Sequence, residues 1–273
     1  MYERYWHLDR PAFESDFDAE FYFPARSHQG ALLKLRFSLE HRKGIALLVG
    51  DHGVGKTYLT QVLERELDGP PRPFLRMVFP QLSPADMLGY LAMRLGASPG
   101  PGIQRGSQDQ TLRSLESRLE SMASEGKRRV IVLDDAHLLQ PQHFETLQLL
   151  MSVQQHVGNV LSFVLVGRPE LLSRVERVPG LDQRVAVRMA VDPLTAEETG
   201  AYIEHRLRIA GGMESMFRDD AYQAFWEISQ GVPRRMNQIC DLSLLVGYAD
   251  GMRELTSVEV EAAAEELLAV SLD

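Results

Sequence analysis

The residues best suited to chemistry stand in one short stretch, "GDHGVGKT", at positions 50–57. The stretch fits the spacing G-x-x-x-x-G-K-[ST], with an apolar run before it and helical periodicity after it. Its glycines let the backbone curl so that N–H groups point at phosphate oxygens, while the lysine adds a point charge and the threonine an oxygen for Mg²⁺. The sequence therefore predicts an ATP–Mg²⁺ site. The residues expected to contact the nucleotide are Gly50, Asp51, His52, Gly53, Val54, Gly55, Lys56, Thr57 and Tyr58.

A second candidate is the acid pair in "RRVIVLDDAHLL", residues 128–139. A buried strand that ends at Asp134 can place its carboxylate beside Mg²⁺, with Thr57 as the other protein ligand. The next residue, Asp135, would then orient or deprotonate the water that attacks the γ-phosphate. The alternative is that both acids only cap the helix that follows.

These candidates lie among five short apolar runs that alternate with stretches of helical spacing. This alternation predicts an α/β fold in which helices flank a parallel sheet. The "GASPGPGIQRGSQ" segment at 96–108 is expected to be an exposed loop. The predicted strands are Ile45–Val49, Phe74–Phe79, Val130–Leu133, Leu161–Val166 and Val185–Met189.

After residue 192 the strand-like runs stop and helical signals continue to the end. Thr195 with Glu198, and Thr256 with Glu259, fit the S/T-x-x-E capping box of a helix N-terminus. Apolar helical faces end near Gly231 and Gly251. We therefore expect a nucleotide-binding core over 1–192 and a small all-helical lid domain over 193–273.

Composition restricts the classes of partner and the compartment. The 273 residues are 44% hydrophobic with a net charge of −9, which indicates a globular protein and does not favour DNA binding. Basic residues that could still contact phosphate are Arg72, Arg76, Arg128 and Arg129. The single cysteine, Cys240, excludes an intramolecular disulfide, and no secretory signal or membrane-length apolar run is seen, so a cytoplasmic location is expected. No metal other than Mg²⁺ is indicated.

Taken together, the motifs resemble those of AAA+ P-loop ATPases, and the chain is similar to the ExeA/GspA group of general-secretion ATPases. The resemblance implies the AAA+ fold, a five-stranded parallel sheet with flanking helices followed by a helical lid. The segments that carry it are "FYFPARSHQGALLKLRFSL", "GDHGVGKT", "VLDDAHLL", "FVLVGRPEL", "LDQRVAVRMAVDPLTAEE", "AYIEHRLRIAG" and "GVPRRMNQICDLSLLVGYA".

The resemblance also implies roles for three arginines, each of which has a surface ion pair as its alternative. Arg234 in "GVPRR" matches the sensor-2 arginine that reaches the γ-phosphate. Arg184, just before the last strand, matches an arginine finger acting in the neighbouring subunit. Arg168 occupies the sensor-1 place, where the family more often has an uncharged polar residue. The group usually has glutamate where this chain has Asp135, so slow hydrolysis is compatible with the sequence.

Three functions follow from the resemblance. The first is an ATPase that forms a homo-oligomer, a ring or filament, and drives a secretion or assembly partner protein. The second is a regulator of transposition that assembles on DNA, as TnsC/TniB-type relatives do, although the charge does not favour it. The third is an interaction module gated by nucleotide with little turnover.

Overall fold

The computed structural model describes residues 1–14, 17–67, 74–77, 82–97, 108–212 and 216–270. Within them, no helix combines the length and apolar character needed to cross a lipid bilayer. The elements in this part of the chain are α1 (Arg26–Glu40), β1 (Ile45–Val49), α2 (Lys56–Glu66), β2 (Phe74–Met77), α3 (Pro84–Leu95), α4 (Gln108–Ser124), β3 (Arg129–Leu133), α5 (Pro141–Val157), β4 (Leu161–Gly167), α6 (Glu170–Glu176), α7 (Pro179–Asp182), β5 (Val185–Ala190), α8 (Ala196–Ile209), α9 (Asp219–Ser229), α10 (Pro233–Ala249) and α11 (Ser257–Val270), with 3₁₀ turns at Ala19–Phe21 and Ala136–Leu138.

The five described strands form one parallel sheet in the order β2-β3-β4-β1-β5. Every residue of β1 and β4 is buried, as expected for inner strands covered on both faces, whereas edge strand β5 alternates between covered and exposed positions. The predicted parallel α/β sheet is confirmed. The part of the second predicted strand beyond residue 77, and residues 98–107 of the predicted loop, lie outside the described residues.

Contacts between residues divide the chain into two compact units. The sheet unit contains residues 30–50 and 63–191, and the helical unit contains residues 1–29, 51–62 and 192–273. Most of the phosphate loop, residues 50–57, therefore belongs to the helical unit. The predicted domain boundary between residues 192 and 193 stays a prediction.

The core of the sheet unit consists of apolar side chains from the strands and from the helices that cover them. Phe163 and Leu165 of β4 and Leu47 of β1 are fully or almost fully buried. They belong to one cluster with Leu88 of α3 and Phe144 of α5. The apolar strands are thus fixed in place by burial.

The helical unit contains a buried arginine beside its apolar core. Arg206 of α8 is 6% exposed, and its guanidinium donates to the carbonyls of Ala12 (2.6 Å) and Glu14 (3.1 Å) and to the Tyr202 hydroxyl (3.0 Å). The Phe21 ring lies against its charged face, 4.7 Å away. A buried charge is tolerated only when its donors are satisfied, so Arg206 ties the N-terminal segment to α8.

Local signals at the helix ends are also seen in the helical unit. The Thr195–Glu198 capping box is complete, with both reciprocal bonds present. Thr256 N–H donates to the Glu259 carboxylate at 2.7 Å, which provides one half of the second box. These contacts satisfy amides that a helix N-terminus leaves without intrahelical partners.

Gly231, between α9 and α10, has both a special conformation and no space for a side chain. Its φ is +69°, and its carbonyl accepts from Leu194 N–H at 2.8 Å. A Cβ at this position would lie 2.0 Å from the Leu194 carbonyl oxygen. Gly251 has a similar φ of +67° but open space around its Cα, which makes it a matched control.

We therefore expect Gly251→Ala to lower the free energy of unfolding by ~1 kcal/mol, the cost of a left-handed alanine. Gly231→Ala adds a backbone clash and should lower it by about 3 kcal/mol or more. Urea unfolding of the two variants measures the difference. Equal losses would show that the Leu194 carbonyl moves away without significant cost.

Candidate nucleotide-binding site

The phosphate loop connects β1 to α2, which begins at Lys56. Gly53 and Gly55 have φ values of +81° and +97°, in the left-handed region that glycine enters without strain. The Lys56 ammonium donates to the Asp51 carbonyl at 2.6 Å. Successive amides in such a turn, placed before a helix N-terminus, form a concave anion site. The conformation therefore suits the phosphates that the motif predicts.

Two carbonyl groups of the loop accept hydrogen bonds from elsewhere in the helical unit. Arg234 N–H donates to the Gly53 carbonyl at 3.2 Å, and His28 Nε2–H donates to the Val54 carbonyl at 2.9 Å. Arg234 is the second residue of α10, whose first amides have no intrahelical partner, so Gly53 satisfies one of them. Both contacts hold the loop from outside.

The glycines also leave no space for side chains at these contacts. A Cβ on Gly53 would lie 3.0 Å from the side chains of Val232 and Arg234. A Cβ on Gly55 would lie 3.0 Å from His28 Nε2. Close approach and backbone conformation therefore both require glycine here.

Among the predicted site residues, the structure brings Arg234 together with the loop. Besides the backbone contact, Arg234 Nη1 donates to His52 Nε2 at 2.7 Å, so this histidine nitrogen acts as an acceptor. Arg234 itself is exposed. The sensor-2 candidate thus lies beside the predicted phosphate site within one unit.

Tyr58, the last predicted contact residue, is held by the N-terminal segment. Its hydroxyl donates to the Asp18 carbonyl, and its ring contacts the rings of Phe17 (4.9 Å) and Tyr22 (6.4 Å between centroids). Burial raises the pKa of Tyr58 to about 12, so the phenol stays neutral. Its role in binding a nucleotide stays a prediction.

The acid pair lies in the sheet unit, at the carboxyl end of β3. Asp134 is nearly buried; its Oδ1 accepts from Asp135 N–H at 3.0 Å, and its Oδ2 lies 3.9 Å from Arg76 Nη1. Asp135 is the residue before the 3₁₀ turn but, within this described segment, its side chain makes no capping bond. The Asp135 side chain therefore does not cap the turn that follows it, which was the alternative to a catalytic role.

Asp135 has an unusual backbone for a residue with a side chain. Its φ and ψ are +50° and +32°, and its side chain is 57% exposed. Aspartate and asparagine occupy this region more readily than longer side chains do. Such conformations concentrate at functional sites, which makes Asp135 a stronger candidate than its sequence position alone did.

Arg168 follows β4 at the same edge of the sheet as the acid pair, because β3 and β4 run in parallel and pair directly. A Cβ on the preceding Gly167 would lie 3.0 Å from the amide nitrogen of His137. The turn after Asp135 thus packs closely on the end of β4. The Arg168 side chain is exposed.

Arg184 lies at the amino-terminal ends of the strands, opposite the ends that the acid pair follows. Its carbonyl accepts from Ile45 N–H, at the start of β1. With about 3.3 Å per residue, the five residues of β1 separate it by about 16 Å from the edge where Gly50 and Asp134 emerge. Its guanidinium donates to the Gly180 carbonyl and to Ser152 Oγ at 3.1 Å.

Two of the four arginines suggested for phosphate contact have partners within the chain: Arg76 lies beside two carboxylates, and Arg129 donates to a backbone carbonyl. Arg76 lies 3.5 Å from the Glu64 carboxylate as well as 3.9 Å from that of Asp134. Arg129 donates to the carbonyl of Arg128 at 3.1 Å. Arg72 lies outside the described residues.

His28 is a contact residue that the sequence analysis did not identify. It is 7% exposed and lies on one face of α1 with Ala31, Leu35 and Leu39, at i, i+3, i+7 and i+11. A histidine within an apolar helical stripe was therefore the available signal. The pattern indicates burial but not the partner.

Comparison with known sequences identifies relatives. A family described as an AAA domain matches residues 39–175, which is half of the chain. The General secretion pathway protein A of Aeromonas hydrophila is 28% identical over 272 residues, covering 98% of this chain. The chain spans about half (48%) of the length of that relative.

Solved structures show the same fold. Cdc6p from Pyrobaculum aerophilum has a TM-score of 0.73 at 20% identity, over 93% of this chain and 70% of that chain. The RuvB Holliday junction branch migration motor of Thermotoga maritima has a TM-score of 0.59 at 19% identity, over 88% and 69%. At these identities the likeness concerns the fold alone.

Two histidines with lowered pKa values, buried His28 and partly buried His205, generate a prediction on pH. Burial, only partly offset by the bond to Val54 and by Glu198 and Asp192, lowers the pKa of His28; burial and nearby Arg208 and Arg206 lower the pKa of His205. As pH falls through about 6.5, the unfolded chain binds protons that the folded chain resists, so stability decreases.

We expect the free energy of unfolding to fall between pH 7.5 and 5.5, with His28 contributing at most about 1.4 kcal/mol per pH unit. His28→Gln should make this decrease shallower. Urea unfolding at several pH values measures both. The same slope in the variant and the parent would contradict the assignment to His28.

Proposed function

The chain belongs to the AAA family of ATPases, and from this membership we propose that it binds ATP with Mg²⁺ and hydrolyses the ATP at the interfaces of a homo-oligomer. The observation that carries the proposal is the phosphate loop, with left-handed glycines at 53 and 55 and a helix that begins at Lys56. The lone thiol of Cys240 suits a cytoplasmic location.

Binding is assigned to this chain's own groups. The loop amides and Lys56 hold the phosphates, and Arg234 reaches the γ-phosphate. The oxygens of Thr57 and Asp134 are the hard donors that Mg²⁺ prefers. When bound, the metal neutralises negative charge on the phosphates.

Hydrolysis is assigned to Asp135. Water forms a bond to the γ-phosphorus, the bond to the β-phosphate oxygen breaks, and ADP leaves; Asp135 orients the water and accepts its proton, while Arg168 helps to position it. The left-handed backbone at Asp135 supports this role and favours aspartate over glutamate. A shorter reach at this position agrees with slow turnover.

Arg184 is assigned to the active site of a neighbouring subunit. In its own subunit Arg184 lies at the amino-terminal ends of the strands, whereas Asp134 and Asp135 follow the carboxyl end of β3. It is therefore too far away to reach a phosphate beside those acids. We propose that a second copy presents its own nucleotide to this guanidinium. The proposed protein is therefore an oligomer whose active sites are shared between subunits.

The partner is proposed to be a protein of a secretion or assembly process. The similarity to General secretion pathway protein A covers nearly the whole chain but half of that relative, so it supports the nucleotide-driven part of such a process. The net charge of −9 and the acids beside Arg76 favour a protein over DNA.

The assignment of ATP binding is tested with Lys56→Ala. We expect the variant to lose at least about 100-fold in ATP affinity, because a lysine–phosphate contact is a charge-assisted bond between full charges. The unfolding midpoint should not change. Calorimetric titration gives the affinity, with exposed Lys34→Ala as the control. Unchanged ATP affinity in Lys56→Ala would contradict the proposal.

The shared site is tested by mixing inactive variants. Arg184→Ala and Asp135→Asn should each bind ATP but lose hydrolysis, by about 10³-fold for the arginine. Asparagine tolerates the left-handed backbone, so Asp135→Asn removes only the charge. Mixing the two proteins should restore activity, because some interfaces then combine Arg184 from one subunit with Asp135 from the other.

Ser152→Ala is the matched control, since it removes a partner of Arg184 within the same subunit and leaves the arginine. It should retain hydrolysis if Arg184 acts in the neighbouring subunit. If Ser152→Ala is as inactive as Arg184→Ala and mixing restores nothing, Arg184 is a structural residue.

A further inference from the structure

We propose that His28 is a positioning residue that orients the phosphate loop for the nucleotide, acting through the Val54 carbonyl rather than by touching a phosphate. This inference rests on the proposed function, because it assigns work to the loop that binds ATP. It concerns a residue outside the glycine-lysine-threonine motif, in the first helix of the chain.

The peptide unit is planar, which links the direction of each carbonyl to that of the next amide. The C=O of one residue and the N–H of the next lie in one plane and point in opposite directions. The His28 bond to the Val54 carbonyl at 2.9 Å therefore fixes the direction of the Gly55 N–H. The Arg234 bond to the Gly53 carbonyl fixes the Val54 N–H in the same way.

This constraint matters because the loop contains glycines. Gly53 and Gly55 lack a Cβ, so few φ/ψ combinations are sterically forbidden to them. The peptide planes beside them therefore rotate easily unless a contact holds them. A loop that must order its amides when phosphate arrives loses binding energy to that ordering. Carbonyls held from outside keep the amides pointed at the phosphate position beforehand.

The surroundings of His28 suit this task. The ring is 7% exposed, and burial lowers the pKa of His28, which favours the neutral form with its single N–H. The 2.9 Å contact to a carbonyl oxygen requires that this hydrogen be on Nε2. Nδ1 lies 3.4 Å from Ser27 Oγ, whose hydroxyl donates to the Asp192 carbonyl at 3.3 Å.

The fit between ring and loop is also steric. Gly55 approaches the ring so closely that a Cβ would lie 3.0 Å from Nε2. A larger residue at 55 or a ring displaced from its place would change the same contact. His28 therefore supplies the hydrogen-bond donor, and the absence of a side chain at Gly55 leaves space for its ring to reach the Val54 carbonyl.

Substitutions at position 28 separate hydrogen bonding from packing. His28→Phe keeps a ring of similar size but removes the donor. The longer amide of His28→Gln can place an N–H near the position of Nε2, whereas the amide of His28→Asn is too short to reach it. The comparison of His28→Gln with His28→Asn therefore tests the hydrogen bond even if His28→Phe folds poorly. His41→Phe, at the exposed position that follows α1, is the control.

Two measurements are made on each variant of the 273-residue chain. Calorimetry gives the dissociation constant of ATP, and the ¹⁵N heteronuclear NOE of the Val54 and Gly55 amides reports the order of the loop without nucleotide. We expect His28→Phe and His28→Asn to lower the NOE and raise the dissociation constant about tenfold, the effect of one net hydrogen bond. His28→Gln should stay within about threefold of the parent in affinity.

The outcomes distinguish the two proposals. An unchanged NOE in His28→Phe and His28→Asn overturns the role of His28 whether or not the parent binds ATP. Lower order with unchanged ATP affinity also overturns it, because the constraint then has no effect on binding. A parent chain that does not bind ATP overturns the proposed function, while the NOE still decides whether His28 orders the loop.

Discussion

The parallel pairing of β1 between β4 and β5 is the constraint on which the arrangement of the sheet unit depends. Parallel strands emerge at one edge by their carboxyl ends, so Gly50, Asp134 and Arg168 follow their strands at the same edge. The pairing continues past the strands, since Gly50 N–H donates to the Gly167 carbonyl at 3.3 Å and Asp134 N–H to the Met77 carbonyl at 3.1 Å. The same geometry places Arg184 at the amino-terminal ends of the strands. Strand direction alone therefore separates the residues assigned to one subunit's nucleotide from the residue assigned to its neighbour's.

A second constraint acts in the helical unit, where close backbone approach determines which residues are glycine. Gly231 lets the segment before α10 lie against Leu194, and Gly53 lets the start of α10 contact the phosphate loop. Arg234 consequently has two separable contacts. Its backbone N–H holds the Gly53 carbonyl, while its guanidinium contacts His52 and is the group assigned to the γ-phosphate. Substitution of the side chain would leave the backbone contact in place, so the structural and chemical contributions of this residue can be measured apart.

The sequence predicted well those features that depend on local pattern. The bounds of β1 were predicted correctly and those of β3, β4 and β5 to within one residue, because buried apolar runs of strand length carry a strong signal. The loop motif and the Thr195–Glu198 box are likewise local. The contact of His28 with Val54, the packing of Trp6 and Phe13 with the C-terminal helices, and the bonds of Arg184 to α5 join residues distant in sequence, so no local pattern specifies them. The left-handed backbone of Asp135, and the close approach of Gly167 to His137 in the turn that follows, are likewise not specified by a local pattern.

The two cations assigned to the phosphates are held close to the loop by neutral acceptors. Lys56 donates to the Asp51 carbonyl and Arg234 to the His52 imidazole. A phosphate oxygen carries negative charge that a carbonyl or a neutral ring nitrogen lacks, so Coulomb attraction favours exchange of these acceptors for phosphate. The backbone of the loop is itself held by the bond from His28 to the Val54 carbonyl and by the bond from Arg234 N–H to the Gly53 carbonyl. Charge that is held in place in this way lowers the free energy of rearrangement when phosphate binds, and this is the role that we propose for the contacts made to the loop by His28 and Arg234.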